Sequence, residues 1–278
     1  MNIEIFDVEL GQCAVIYCPN GQKIMIDAGH NASRPWRPSV HFYGKTIEHL
    51  VISNYDEDHT SDFHNLIQHC NLNIIYKNPS ISSSILYAMK SAQGMGNGIK
   101  AAYDWLRSIE RQSGGFLQPA NLAGVEFSHY YNPYGVFTDT NNLSLVTFVK
   151  YGNFTILFPG DLEIAGWREL LKNPSFRNDL SKVTVFVASH HGRENGCCSE
   201  VFQFCKPLTV IISDAGKQHA TQETCQWYAY QATGCKTIGQ AQRKVFTTRN
   251  DGHITISTDL SNWKIATESE RNSHLLRA

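Results

Sequence analysis

The chain has 278 residues, 42% of them hydrophobic, with 24 lysines and arginines against 25 aspartates and glutamates. That length and apolar content suit one large domain, 1–278, and the near-neutral charge excludes the broad basic field that alone would argue for nucleic-acid binding. With no run of about 18 apolar residues and no signal-peptide pattern, the expectation is a soluble cytoplasmic protein without membrane contact, its eight cysteines reduced.

From the N-terminus, IEIFDV, CAVIYC and KIMIDAG read as three strands of a meander, the last two joined at Pro19-Asn20-Gly21. A polar loop over 28–45 leads to the strand IEHLVIS, a helically spaced DFHNLIQHC and the strand NLNIIY. Between 78 and 123 the character changes. SSSILYAMKSA and GIKAAYDWLRSIERQ space apolar residues three and four apart around a glycine-rich QGMGNG, which predicts a helical insertion. VEFSHY, LSLVTFVKYG and NFTILFPG are strands, the last two turning at Tyr151-Gly152-Asn153. Helix and strand then alternate through IAGWRELL, VTVFVAS, SEVFQFC, LTVIIS and TQETCQWYAYQA, before the strands KVFTT and HITIST. Two stacked sheets are expected, and the polar tail ESERNSHLLRA is expected to fray.

Groups able to bind metal follow these strands. Asn54, Asp56, Asp58 and His59 come after HLVIS, Asp161 after NFTILFPG, His190 and His191 after VTVFVAS, and Asp214 and then His219 after LTVIIS. Taken singly, such an aspartate is a helix cap and such a histidine an ordinary surface residue. Four strand ends carrying them together point to a ligand site, because ligands gather at the carboxyl ends of strands in layered α/β architectures. The run Asp56-Glu57-Asp58 supports this, since carboxylates crowded at one strand end repel unless a cation lies among them. Glu57 is expected to face outward without a role. The adjacent Cys197 and Cys198 lack a second pair and read as structural.

In order, DVELGQ (7–12), MIDAG (25–29), SNYDEDH (53–59), NNLSLV (141–146), PGD (159–161) and SHHG (189–192) resemble the motif series of the metallo-β-lactamase fold. Within it they are most similar to the nuclease-like domain of ComEC-type competence proteins, with its DVGQGD, LIDAG, SHPDADH, NNxSLV, TGD and HHGS. The resemblance implies an α/β fold, a four-layer αββα sandwich with a helical insertion. It also implies a metal-dependent hydrolase, a nuclease or phosphodiesterase acting on DNA or a nucleotide, with bacterial antiviral defence as one setting. Departures accompany it. Asn54 and Asp56 stand where the superfamily's HxHxDH has two histidines, and Asn142 is the nearest match to a further histidine. Oxygen ligands favour manganese or magnesium and imidazoles suit zinc. The implied ligands are Asp58, His59, Asp161 and either His219 or one of His190 and His191, with Asn54 and Asp56 in a depleted first pocket. Asp58 would orient or deprotonate water, His219 is the preferred metal ligand, and His191 the preferred catalytic histidine, with His190 as the other candidate. Asp7 and Gly11 match the pattern while their neighbours depart from it, so the role of the first motif stays open.

Lys90, Lys100, Arg107 and Arg111 on the insertion, with Arg193 after SHHG, are candidate phosphate contacts, and HYYNPYG (129–135) a candidate stacking surface. A solvated helix face and core packing are the plainer explanations. Two other classes stay open: a metallohydrolase of a lactone, ester or cyclic nucleotide, and a silent scaffold whose helical insertion binds a protein partner.

Overall fold

Short apolar runs, buried on alternate residues or throughout, build two sheets in the computed structural model, which describes residues 1–30, 36–92, 94–111, 120–216 and 223–275. The first half contributes β1 (Asn2–Ile5), β2 (Ala14–Tyr17), β3 (Lys23–Ile26), α1 (Pro38–His41), β4 (Thr46–Val51), α2 (Glu57–Thr60), α3 (Phe63–His69), β5 (Asn71–Tyr76), α4 (Ser83–Lys90) and α5 (Asn97–Ile109). Then come β6 (Glu126–Tyr130), β7 (Val146–Tyr151), β8 (Phe154–Phe158), α6 (Ile164–Leu170), α7 (Pro174–Leu180), β9 (Val185–Val187) and β10 (Thr209–Ile212). The remainder holds α8 (Cys225–Gln231), β11 (Cys235–Lys236), β12 (Gln242–Arg243), β13 (Val245–Thr247), α9 (Thr248–Asp251), β14 (Ile254–Thr258), β15 (Trp263–Thr267) and α10 (Glu268–Leu275).

One sheet runs β15-β14-β1-β2-β3-β4-β5 and the other β13-β10-β9-β8-β7-β6, with β11 and β12 paired apart. The meander β1 to β3 is antiparallel, whereas β3, β4 and β5 run parallel, as do β8, β9, β10 and β13. Period-two side chains place Ile3, Ile5, Ile16, Ile24 and Ile26 of the first sheet against Val149, Ile156, Phe158, Val185 and Val187 of the second. The outer faces bury helices. Val15, Met25 and Leu50 meet Phe63, Leu66 and Leu106, while Phe148, Leu157 and Phe186 meet Trp167, Phe176 and Leu180. The result is the αββα sandwich that the motifs imply.

Within the expected insertion, α4 and α5 belong to the helical layer of the first sheet, with Ala102 and Leu106 in its core. Gln93 and residues 112–119 of that stretch lie outside the described residues. Gly98 allows α5 to start directly on α2, because a Cβ there would come within 2.2 Å of the Thr60 carbonyl oxygen.

Two expectations are corrected and one helix is added. The tail does not fray at once but forms α10, following a strand, β15, that its polar sequence concealed and that pairs with β14. SEVFQFC yields only a short turn at Ser199–Gln203. A helix missed in the sequence, α7, begins at Pro174, where Asn173 accepts a hydrogen bond from the Ser175 amide. All eight cysteines are free thiols, and no helix among the described residues is long and apolar enough to cross a membrane.

Where the edge strands β5 and β6 meet, buried His49 packs against Tyr76 and Phe127, with ring centroids at 5.2 and 5.6 Å. His129 stacks on the same Tyr76 at 4.8 Å. Neither nitrogen of His49 has a hydrogen-bond partner among the described residues. Burial lowers the pKa of both imidazoles, and His49 adds to the effect on His129, which falls to about 4. Both rings are therefore neutral in the fold. Below pH 6.5 the unfolded chain takes up protons that the folded chain refuses until about pH 4, so stability present above 6.5 is lost across that window. Chemical denaturation at pH 7 and pH 4.5 is expected to show about 2 kcal/mol more loss in the parent than in a His129→Phe variant. Equal losses would exclude His129 as a source of acid sensitivity.

Candidate metal centre

The loop after β4 is gripped through its backbone. The Asp58 carbonyl oxygen accepts from the Gln12 amide at 3.3 Å, and the Ala28 amide donates to the His59 carbonyl at 2.8 Å. Gly11 and Gly29 lie so close that a Cβ on either would come within 2.5 and 2.4 Å of that Asp58 oxygen. Only glycine fits such an approach. This assigns Gly11 and Gly29, the glycines of DVELGQ and MIDAG, a packing role against the loop that carries the acidic run. Asp7, in the same first motif, donates its amide to His253 Nδ1 at 2.9 Å.

Asp58, His59, Asp161 and His191 each bring one nitrogen or oxygen into a cluster whose atoms all lie within 4.8 Å of one another. His59 Nε2 is 3.0 Å from Asp161 Oδ1 and 3.2 Å from His191 Nε2. His191 Nε2 is 3.4 Å from Asp161 Oδ1 and 3.3 Å from Asp58 Oδ2. Asp161 reaches this point just past β8, through Gly160 in a left-handed conformation, and its amide donates to Ser144 Oγ at 3.0 Å. That hydroxyl is the serine of NNLSLV. Beyond β9, His190, His191 and Gly192 all have positive φ, at 51°, 53° and 73°. Two non-glycine residues in this region carry a steric cost that the surroundings must hold in place.

The outer ring nitrogens decide what the inner ones can do. His191 Nδ1 lies 3.0 Å from the Ser213 carbonyl oxygen, which only accepts, so Nδ1 carries the proton. His59 Nδ1 lies 2.9 Å from Asp27 Oδ2, and Asp27 also accepts from the Ser53 amide at 2.7 Å and the Ser53 hydroxyl at 2.5 Å. In their neutral forms both imidazoles therefore aim lone pairs inward, where two carboxylate oxygens also point. Four acceptors without a donor require protons or a cation. Burial opposes charge on His59, yet Asp161 and Asp27 outweigh it and hold its pKa well above the ordinary imidazole value. His191 is likewise raised, against burial, by Asp161 and Asp58. Asp58, despite burial, is held below the usual carboxylate range by the hydrogen bond from His191 and the charge of His59, and Asp161 is lowered too, against its own burial, chiefly by His59.

The spacing fits a metal ion. Ligands at about 2.0–2.1 Å in a tetrahedron are about 3.3 Å apart, and at about 2.1 Å in an octahedron about 3.0 Å apart. The four measured separations, 3.0 to 3.4 Å, span that range. Two imidazoles suit zinc, and two carboxylates suit manganese or magnesium as well.

Other expected ligands lie elsewhere. Asp56 accepts from Lys90 Nζ of α4 and from Thr140 Oγ1 at 2.9 Å, so its charge is neutralised away from the centre. Asn54 accepts the Asp56 amide at 3.0 Å and donates to Asn141 Oδ1 at 3.3 Å, closing the turn. Glu57, expected to be idle, accepts from the Gly98 and Ile99 amides at 2.9 and 3.1 Å and caps α5. Asn142 accepts the Gly166 amide at 2.8 Å at the start of α6. Asp214 faces Arg249 at 2.9 Å. His190 stands beside the cluster and gives it no atom; its Nδ1 is 3.6 Å from Glu163 Oε1, and Arg193 Nη1 is 3.4 Å from its Nε2. His219 lies outside the described residues. Sequence reasoning missed Asp27, Ser144 and Ser213 as positioning groups; for Asp27 the signal was its place directly after a buried strand, in MIDAG.

Residues 7–175 match the family model described as the metallo-beta-lactamase superfamily. Over 239 residues the chain is 25% identical to ComE operon protein 3 of Bacillus subtilis (strain 168), covering 78% of this chain and 28% of that protein. The chain thus spans under a third of that relative's length. Among solved structures, a mutant of the β-hydroxylase CmlA, from Streptomyces venezuelae, aligns with a TM-score of 0.51 at 9% identity, covering 91% of this chain and 53% of the other. A metallo-beta-lactamase superfamily protein from Thermotoga maritima aligns at 0.46 and 10% identity, covering 88% and 97%. At such identities the likeness to CmlA concerns the fold alone. With the family model matching more than half of its length, the chain belongs to the metallo-β-lactamase superfamily.

Proposed function

We propose that this metallohydrolase is a metal-dependent phosphodiesterase that cleaves DNA. The observation that carries the reading is the convergence of four acceptor atoms within 4.8 Å of one another, four of their pairs at 3.0–3.4 Å, with the two imidazole tautomers fixed from behind. Substrate class rests on the ComEC-like motif order and is supported by the match to ComE operon protein 3. A divalent ion bound there would neutralise charge on a phosphoryl oxygen and lower the pKa of water.

The protein's own groups divide the remaining tasks. Asp27 and the Ser213 carbonyl hold His59 and His191 as Nδ1–H tautomers, and Ser144 anchors Asp161. The side chain of Asp58 is 33% exposed, against 3% for Asp161, so Asp58 is the carboxylate that meets incoming substrate. Held ionised by His191 and His59, it orients the attacking water and accepts its proton. Arg193 offers a charged donor to a phosphate oxygen, and its Nη1 lies 3.4 Å from Nε2 of His190, whose burial lowers its pKa and keeps the ring a neutral neighbour of the guanidinium. Eight free thiols accord with a reducing, cytoplasmic setting.

With added manganese the purified protein is expected to cut plasmid and single-stranded DNA. A variant carrying Asp58→Ala and His59→Ala is expected to lose on the order of 10³-fold in rate, the several kcal/mol that a catalytic metal contributes. A parent that binds manganese and leaves DNA intact would sink the DNA reading and turn attention to small nucleotides or esters. Asp27→Asn, which removes the carboxylate behind His59, is expected to weaken manganese binding by about 10–100-fold in calorimetry while the circular dichroism spectrum stays unchanged. Unaltered affinity would show that Asp27 does not set the ring of His59.

A further inference from the structure

The carbonyl that fixes His191 is itself held in place. It belongs to the peptide joining Ser213 to Asp214, just beyond β10, and both polar groups of that peptide are taken by side chains. Its oxygen faces His191 Nδ1 at 3.0 Å, and its N–H donates to Thr248 Oγ1 at 2.9 Å. Because a trans peptide is planar, with C=O and N–H directed oppositely, fixing the N–H fixes where the oxygen points. The Thr248 hydroxyl gives its one proton to the Asp214 carbonyl oxygen at 3.0 Å, which leaves a lone pair for the amide. Ser213 also donates its hydroxyl to the Gly11 carbonyl at 2.7 Å, but that bond leaves the rotation of the following peptide open.

Thr248 is anchored in turn. It is fully buried at the start of α9, a single turn of helix set between β13 and β14. β13 runs parallel to β10 with Thr247 opposite Ile212, which carries Thr248 to the level of Asp214. At the other end of the turn, Asp251 accepts the Thr247 amide at 2.9 Å and pairs with both terminal nitrogens of Arg243, at 2.6 and 2.8 Å. Arg243 lies over the Phe246 ring at 4.2 Å. Arg249, next along α9, brings Nη1 to 2.9 Å from Asp214 Oδ2. The helical turn thus holds Asp214 by its backbone and by its side chain.

We propose that Thr248 is a positioning residue for the metal centre: it sets the peptide whose carbonyl holds His191 as the Nδ1–H tautomer, with Nε2 directed at the other converging atoms. The inference rests on the cluster being a metal centre and not on DNA being its substrate.

Manganese calorimetry of the full chain tests this, together with exchange of the His191 Nδ1 proton with water, read by NMR on the metal-free protein. Loss of the signal in a His191→Gln variant assigns it. Thr248→Val keeps the shape of the side chain and removes the hydroxyl, and it is expected to weaken manganese binding about tenfold and to speed exchange of that proton about tenfold or more. Thr248→Ser, which keeps the hydroxyl, is expected to stay within about twofold of the parent in both. If circular dichroism shows Thr248→Val unfolded, Thr248→Ala carries the same two readings. Unchanged exchange or unchanged affinity without the hydroxyl would overturn the assignment, as would a serine variant that behaves like the valine one. A parent without manganese affinity would sink the metal-centre reading, and proton exchange alone would then decide whether Thr248 positions His191.

Discussion

The lone pairs of His59 Nε2 and His191 Nε2, 3.2 Å apart and facing two carboxylates, set the terms for the structure around them. Like-charged and acceptor groups do not gather without support, and here the support comes from both sheets. The first sheet delivers His59 just past β4 and Asp27 just past β3, while the second delivers Asp161 beyond β8, His191 beyond β9 and the Ser213 carbonyl beyond β10. A hydrogen bond of 2.8 Å from the Leu145 amide to the Ser53 carbonyl ties the two sets of strand ends together. The close-packed isoleucine and valine layer between the sheets thus does more than stabilise the domain. It fixes the separation at which two rings and two carboxylates must meet.

The acidic run Asp56-Glu57-Asp58 resolves into three destinations. Asp56 is neutralised by Lys90, Glu57 by the amide end of α5, and Asp58 by the histidines of the centre. A density of negative charge that looks excessive in one short loop is therefore distributed among an ammonium, a helix dipole and a metal site. It also fastens α4 and α5 to the loop that carries two of the four converging groups. The helices over 83–109 are consequently structural neighbours of the centre, whatever else they contact.

Much of this was legible in the sequence because it is local. A strand shows in its alternating or continuous apolar run, and the residues directly after that run must sit at the strand's end, so Asp58, His59, Asp161 and His191 could be placed near one another from pattern alone. The features that escaped depend on backbone conformation or on distant partners. Nothing in SHHG tells which ring turns inward, since that is decided by positive φ at both histidines. Asn54 and Asp56 occupy positions that invite a ligand reading, and only the distant Lys90, Thr140 and Asn141 reveal other uses. Gly11 and Gly29 lie 18 positions apart in the sequence (29 − 11), yet they close on the same carbonyl oxygen, a relation no periodicity encodes. The strand β15 was hidden because WKIAT buries only Ile265 and Thr267 fully.

The left-handed tripeptide His190-His191-Gly192 places two demands on the same backbone. For the folding of the chain, glycine would be the better occupant of positions 190 and 191, since a Cβ in that region is penalised. For the centre, position 191 needs an imidazole, because its Nε2 is one of the four converging atoms. Stability and the candidate centre therefore favour different residues at a single site, and the strain at position 191 is held by its surroundings so that the imidazole reaches the cluster.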